Sequence, residues 1–147
     1  MKSEEISWLN TIFMLTYHLL LLITLVWYVI VKGLPSIGMW IALTLLFLLI
    51  GLSVTAGYHR LYAHRSYQTT KFVEVFLLFF GALAAQNSVL KWSYDHRRHH
   101  RFVDTNKDPY SIKKGFWYAH ILWIFKKSKP IDTTIVADLA KNKLVLF

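Results

Sequence analysis

The sequence predicts an all-α integral membrane protein: two transmembrane helices forming a hairpin, then a cytoplasmic or interfacial helical region that carries clustered histidines. Three observations predict it. Ile12–Val31 and Ser36–Gly57 contain no Asp, Glu, Lys or Arg, and each is long enough to cross a hydrocarbon core of ~30 Å as a helix. Hydrophobic residues make up 55% of the chain and aromatics 16%, which is not the composition of an ordinary soluble domain. Five of the seven histidines fall into two tight groups in the region that follows the second apolar run.

Taken in order, Met1–Glu5 offers no basic region ahead of the first apolar run, so a cleaved signal peptide is not expected. Lys32-Gly33-Leu34-Pro35 stops the first helix and starts the second, which makes 12–31 and 36–57 the hairpin and leaves 58–147 outside it. Residues 1–57 carry no net charge. The whole +9 lies after Gly57, where 15 Lys and Arg face 6 Asp and Glu. Basic segments stay in the cytoplasm, so the histidine region and the N-terminus are both expected there. Residues 72–90 are apolar but interrupted by Glu74, Gln86 and Asn87. A third span would put His96 on the opposite side from His64; a helix lying in the interface keeps them together and is preferred. Lys91–Arg101 reads as helix, and Thr105–Pro109 as a turn. Phe116–Phe125 is too short to span. Its Trp117, Tyr118 and Trp123 suit either an interfacial belt or core packing.

A basic half can mark a nucleic-acid binder, but a base-reading module does not normally follow two membrane spans, and no nucleic acid is expected. Anionic lipid headgroups or a phosphate-bearing substrate fit better. There is no cysteine, which excludes disulfides and thiolate metal sites.

The histidine groups are His59-Arg60-Leu61-Tyr62-Ala63-His64 and Asp95-His96-Arg97-Arg98-His99-His100. Neutral imidazole is the commonest metal ligand. Residues three and four apart share a helix face, so His96, His99 and His100 form one stripe. His59 and His64 stand about 140° apart on an ideal α-helix. Either the helix ends between them or they serve two metals, and both options favour a two-metal site. All-imidazole donors suit Zn, Fe, Cu or Ni, and the His-Glu-x-x-His motif of zinc proteases is absent. Asp95 either orients an imidazole or caps a helix.

With these residues in view, Gly57-Tyr58-His59-Arg60-Leu61-Tyr62-Ala63-His64-Arg65-Ser66-Tyr67 resembles the first histidine box of membrane fatty-acyl desaturases of the stearoyl-CoA Δ9 type. Asp95 to Phe102, with Asp104-Thr105 and Asp108-Pro109, is similar to the second box and its tail. Ala85-Gln86-Asn87, Trp92, and Lys113 to Trp117 with His120 also match in order. The resemblance implies a non-haem di-iron centre that uses O₂ to remove two hydrogens from an acyl chain. It implies electrons from a b-type cytochrome or a ferredoxin with its reductase, and an acyl-CoA or acyl-lipid substrate. It makes His59, His64, His96, His99 and His100 iron ligands. Gln86 and Trp92 would line the bend of the acyl tunnel, while Asn87 and Asp95 would lie near the polar head of the acyl thioester. His120 matches no ligand position. Lys126, Lys127 and Lys129 are candidates for contact with CoA phosphates or with lipid headgroups. Phe47 and Gly51 are candidates for the closed end of the tunnel, or else face lipid.

The resemblance also has gaps. The third box of that family, His-x-x-His-His, and a further upstream histidine have no counterpart before Phe147. The chain is therefore expected to be an N-terminal portion, inactive by itself. Tyr94 stands where acyl-CoA members commonly have Arg. Competing readings are a hydroxylase or ketolase on the same histidine scaffold, and a non-catalytic membrane hairpin.

Overall fold

Four helices begin on a hydroxyl side chain that accepts from the third residue on, satisfying an amide that has no partner within the helix. These are Ser7, Ser36, Thr70 and Ser88, at 3.3–3.5 Å from the amides of Asn10, Met39, Val73 and Lys91. They open α1 (Trp8–Lys32), α2 (Ile37–Leu52), α3 (Lys71–Ala82) and α4 (Val89–Arg101) in a computed structural model that describes residues 5–146. Of the Met1–Glu5 opening, only Glu5 is described; Met1–Glu4 and Phe147 lie outside the described residues.

Gly33 adopts φ 78° and bonds back to the Val29 carbonyl at 3.0 Å. That positive φ favours glycine and ends α1 in one step. Neither α1 nor α2 buries a single residue, and both are apolar all round, as a lipid-facing helix must be. Within α1 the Thr16 and Thr24 hydroxyls donate to the carbonyls of Ile12 and Leu20, each at 2.7 Å, which removes unpaired donors from an apolar setting.

The second apolar helix does not stop at Gly57 as expected. It continues without a break to Ala63, its last stretch, Ser53–Ala63, being a π-helix. α3 packs against this stretch. Its 12 residues rise only ~18 Å, too short to cross ~30 Å of hydrocarbon. Leu77 and Gly81 face the π-helix, while Phe72, Val75 and Phe79 face outward.

Beyond α4 the chain forms turns, α5 (Phe116–His120) and a 3₁₀ turn, Leu122–Phe125. This segment is stitched to the start of α1. Ser7 N–H donates to the Phe125 carbonyl at 2.8 Å, the Asn10 amide to that of Ile124 at 2.9 Å, and Lys127 N–H to that of Glu5 at 2.9 Å. The aromatic stretch divides: Trp117 is 67% exposed, whereas Trp123 packs on Tyr110 with ring centroids 5.1 Å apart. Residues 131–146, including α6 (Lys143–Leu146), fold back over the π-helix and α4. The core gathers Tyr58 and Tyr62 from the π-helix, Val89 and Tyr94 from α4, and Val136, Leu139 and Val145 from the tail. Among the described residues there is no strand, only an isolated bridge between Ile6 and Lys126.

Candidate metal centre

A π-helix closes its hydrogen bonds on the fifth residue rather than the fourth, so i and i+5 come to lie above one another. His64 N–H donates to the His59 carbonyl at 2.9 Å, and the two rings meet with Nε2 atoms 3.0 Å apart. The 140° separation expected of an α-helix does not apply. The helix ends at Ala63, between the two histidines, as the first of the two alternatives drawn from the sequence has it, and His64 as its C-cap keeps the π-type bond to His59 that brings both imidazoles to one point. Beyond this cap Arg65, with a φ of 53°, turns the chain so that Ser66 N–H reaches the Arg60 carbonyl at 2.9 Å.

Across from it, α4 supplies His96 and His100, four apart on one face, with Nε2 atoms 3.1 Å apart. His64 Nε2 lies 2.9 Å from His96 Nε2. Donor nitrogens of His59, His64, His96 and His100 all fall within 4.8 Å of one another. His99 points elsewhere. It lies about 100° around α4 from His100, and its Nδ1 sits 3.0 Å from Asp108 Oδ1. Its ring remains near the quartet, with centroids 5.6 Å from His100.

Hydrogen bonding alone does not account for the quartet. An imidazole nitrogen carries either one N–H or one in-plane lone pair, so it cannot donate and accept at once. Yet His64 Nε2 has two imidazole nitrogens at 2.9–3.0 Å and His96 Nε2 has two at 2.9–3.1 Å. Four imidazole nitrogens turned toward a common point are the donor set of a metal bound at ~2.0–2.1 Å. The residues fit such an ion.

Two of the four rings are held toward the neutral form. Burial lowers the His96 pKa to about 4, assisted by the neighbouring imidazoles of His100, His59, His64 and His99. Burial lowers that of His64 too, with His59, His100 and Arg97 adding to it. Neutral imidazole is the metal-binding form. Burial alone would raise the Asp108 pKa, but bonds from His99 and from the amides of Asp104 and Tyr110 hold it below the ordinary carboxylate value. An anionic Asp108 accepts from His99 Nδ1–H and leaves Nε2 as the lone-pair nitrogen, the arrangement that orients a metal-binding histidine.

The other residues singled out from sequence are scattered more widely. Trp92 stacks on His96, centroids 4.9 Å apart, and donates from Nε1 to Gln86 Oε1 at 3.1 Å. Asn87 is exposed, with φ 72° beside Ala85 at φ 53°. Asp95 is neither a helix cap nor an imidazole partner: Ser88 caps α4, and Asp95 pairs with Lys91 and, at 3.9 Å, with Arg98. Tyr94 is buried between those same two cations. Lys127 is engaged by Glu5 at 2.6 Å, Lys126 sits in the bridge to Ile6, and Lys129 is exposed. Phe47 is exposed, and a Cβ on Gly51 would meet nothing within 4 Å, so neither packs against another element. His120 stacks on Phe116, away from the quartet. Sequence reasoning passed over Asp108 as a turn residue. It also passed over Arg97 and Asp138, because nothing in the local pattern connects positions 41 residues apart.

Comparison with known proteins bears on this geometry. Residues 36–141 match the family model described as "Fatty acid desaturase". The chain is 49% identical over 111 residues to a "Probable acyl-CoA desaturase" of Schizosaccharomyces pombe, covering 71% of this chain and 23% of that protein. It is 40% identical over 130 residues to an "sn-1 stearoyl-lipid 9-desaturase" of Anabaena variabilis, covering 86% and 45%. It is 37% identical over 146 residues to "Stearoyl-CoA desaturase 5" of Homo sapiens, covering 93% and 43%. The chain thus spans less than half the length of these relatives.

Proposed function

Because this chain belongs to the fatty acid desaturase family, we infer that it is the histidine-bearing N-terminal portion of an O₂-dependent membrane desaturase with a non-haem di-iron centre. The observation that carries the reading is the convergence of four imidazole nitrogens from two separate helices, with two close nitrogen contacts at both His64 and His96. His59, His64, His96 and His100 hold one iron. His99, oriented by Asp108, is turned to offer Nε2 to the second, whose other donors come from sequence outside this chain. When bound, the metal pair would use electrons from the donor to activate O₂, the oxidant, for attack on an unactivated methylene, chemistry beyond any side chain.

The chain's own residues set where that chemistry happens. The π-helix and α4 aim the imidazoles of His59, His64, His96 and His100 at one point. Trp92, braced by Gln86, covers the His96 face and separates it from solvent. The acyl chain lies along the apolar surface near this end of α2. Gln86 and Trp92 shape its path, and Asn87 and Asp95 lie toward its polar head. The relatives' names include both CoA and lipid carriers, so the substrate is a saturated acyl-CoA or acyl-lipid; position 9 follows the stearoyl-lipid 9-desaturase. Electrons come from a b-type cytochrome or a ferredoxin system.

The same reading places 12–31 and 36–57 across the membrane as a hairpin, with the histidine region from residue 58 onward cytoplasmic. Support comes from the hydrogen bonds that tie the start of α1 to residues 124–127, since a hairpin returns the chain to the side it left. Lys126, Lys127 and Lys129 lie beside that start, which suits headgroup contact worth about 1 kcal/mol per lysine near an anionic surface.

The test is to express the chain alone and joined to a segment bearing the third histidine box, then measure iron and acyl products. The chain alone binds close to one iron and forms no double bond. The joined protein binds about two, as a two-metal site requires, and desaturates. Desaturation by the chain alone, or failure to bind any metal, overturns the reading.

A further inference from the structure

The two histidine helices are bridged through hydrogen bonds by a side chain that is not itself a ligand. Arg97, next to His96 on α4, has a guanidinium whose five N–H groups are all used. Nε donates to the Ala63 carbonyl at 2.9 Å and Nη2 to that of Tyr62 at 2.6 Å. Nη1 donates to the Ile135 carbonyl at 2.9 Å. Asp138 accepts from Nη1 at 2.7 Å and from Nη2 at 3.0 Å. Tyr62 and Ala63 are the final residues of the π-helix, immediately before His64. Their carbonyls are among those a helix leaves without partners at its C-terminus, and a cation is favoured there by the helix dipole. The Arg97 side chain is only 13% exposed, so its charge requires a partner. Asp138 provides one and is itself held by Arg65 at 2.7 Å, the residue that turns the chain after His64.

We propose that Arg97 is a positioning residue for the metal centre: it caps the π-helix from α4, and Asp138 locks it in place from the folded-back tail. The link fixes the His59–His64 pair against the His96–His100 pair. Only a planar fork reaches two adjacent carbonyls and a carboxylate together, so lysine cannot replace it. Residues 131–146 thereby become part of the machinery that assembles the site, although they hold no ligand. The proposal rests on the metal reading above, but the link between helices exists without metal and is testable in its absence.

The experiment uses the 147-residue chain in detergent micelles, with Co²⁺ as the probe. Arg97→Ala lowers Co²⁺ affinity by 10- to 100-fold, the scale seen when a ligand's supporting partner is lost, and alters the visible Co²⁺ spectrum. Millimolar guanidinium restores both, whereas methylammonium does not, and Arg97→Lys remains impaired. In the metal-free chain, Arg97→Ala speeds amide exchange at His64 and Ser66 while α4 amides such as Trp92 are unchanged. Asp138→Asn, which keeps the Arg97 bonds to backbone, gives a smaller effect in the same direction and serves if Arg97→Ala does not fold. Co²⁺ binding by Arg97→Ala within threefold of the parent, with an unchanged spectrum, overturns the proposal. If the parent chain fails to bind Co²⁺, the metal reading falls instead, and unchanged exchange at His64 and Ser66 then overturns the positioning role.

Discussion

Gly81→Ala tests whether the π-helix depends on α3 lying flat against it. A Cβ at Gly81 would stand 2.5 Å from Tyr58 Cε1, 3.0 Å from Cδ1 and 3.1 Å from Cζ. The Tyr58 ring is 2% exposed and meets Trp92 edge-on at 6.1 Å, so it has no open side to swing into. Overpacking of this kind costs about 1–3 kcal/mol, and three ring atoms inside contact distance place this case at the upper end. Alanine recovers about 1 kcal/mol of helix propensity in α3, leaving a net loss of about 2 kcal/mol. Because Tyr58 adjoins His59, moving the ring also moves the ligand, and Co²⁺ affinity falls with stability. Equilibrium denaturation of the metal-free chain in micelles, followed by circular dichroism, measures the first effect, and Co²⁺ titration the second. Gly51→Ala is the control, since its Cβ meets nothing within 4 Å and stability stays at or above the parent's. A Gly81→Ala chain as stable as the parent, with equal Co²⁺ affinity, refutes the claim that this contact sets the π-helix.

Three further outcomes follow from the site. His64→Ala removes a donor that contacts two others and abolishes micromolar Co²⁺ binding, whereas His99→Ala leaves binding by the chain alone within a few fold; equal losses would contradict the division between quartet and second position. The metal-free chain loses stability as pH falls from about 6.5 toward 4, because the folded state holds His96 with a pKa of about 4 while the unfolded chain takes up its proton near 6.5; denaturation midpoints between pH 7.5 and 4.5 that decline equally in His96→Ala exclude His96 as the source. Single cysteines introduced at Gly33 and Thr105 label from opposite faces of sealed vesicles, and labelling from one face would refute the hairpin.

Much of this molecule is local chemistry and is legible along the chain. The two apolar runs, the Gly33 stop and the amphipathic α3 each depend on residues within a turn or two of one another, so pattern alone exposes them. So does the pairing of His96 with His100 at four residues, which requires only the helix period. The register of His59 and His64 is different. Whether five residues place two rings apart or together depends on helix type, and here the type is tied to packing: Leu77 lies against Gly57, Gly81 against Tyr58, and Arg97 caps the end. Asp95 carried the expectation of an imidazole partner because it adjoins His96. Adjacent residues on an α-helix point about 100° apart, and the carboxylate that reaches His99 comes from the turn, at Asp108. Asp138 lies farther still, and its meeting with Arg97 follows from a tail that covers the apolar side of Tyr62 and Val89 with Val136 and Leu139. Residue types and helical period determined which imidazoles are present and where the helices run. Only tertiary packing decided that four of them share one point, because that point lies between two helices whose spacing is set by side chains distant in sequence.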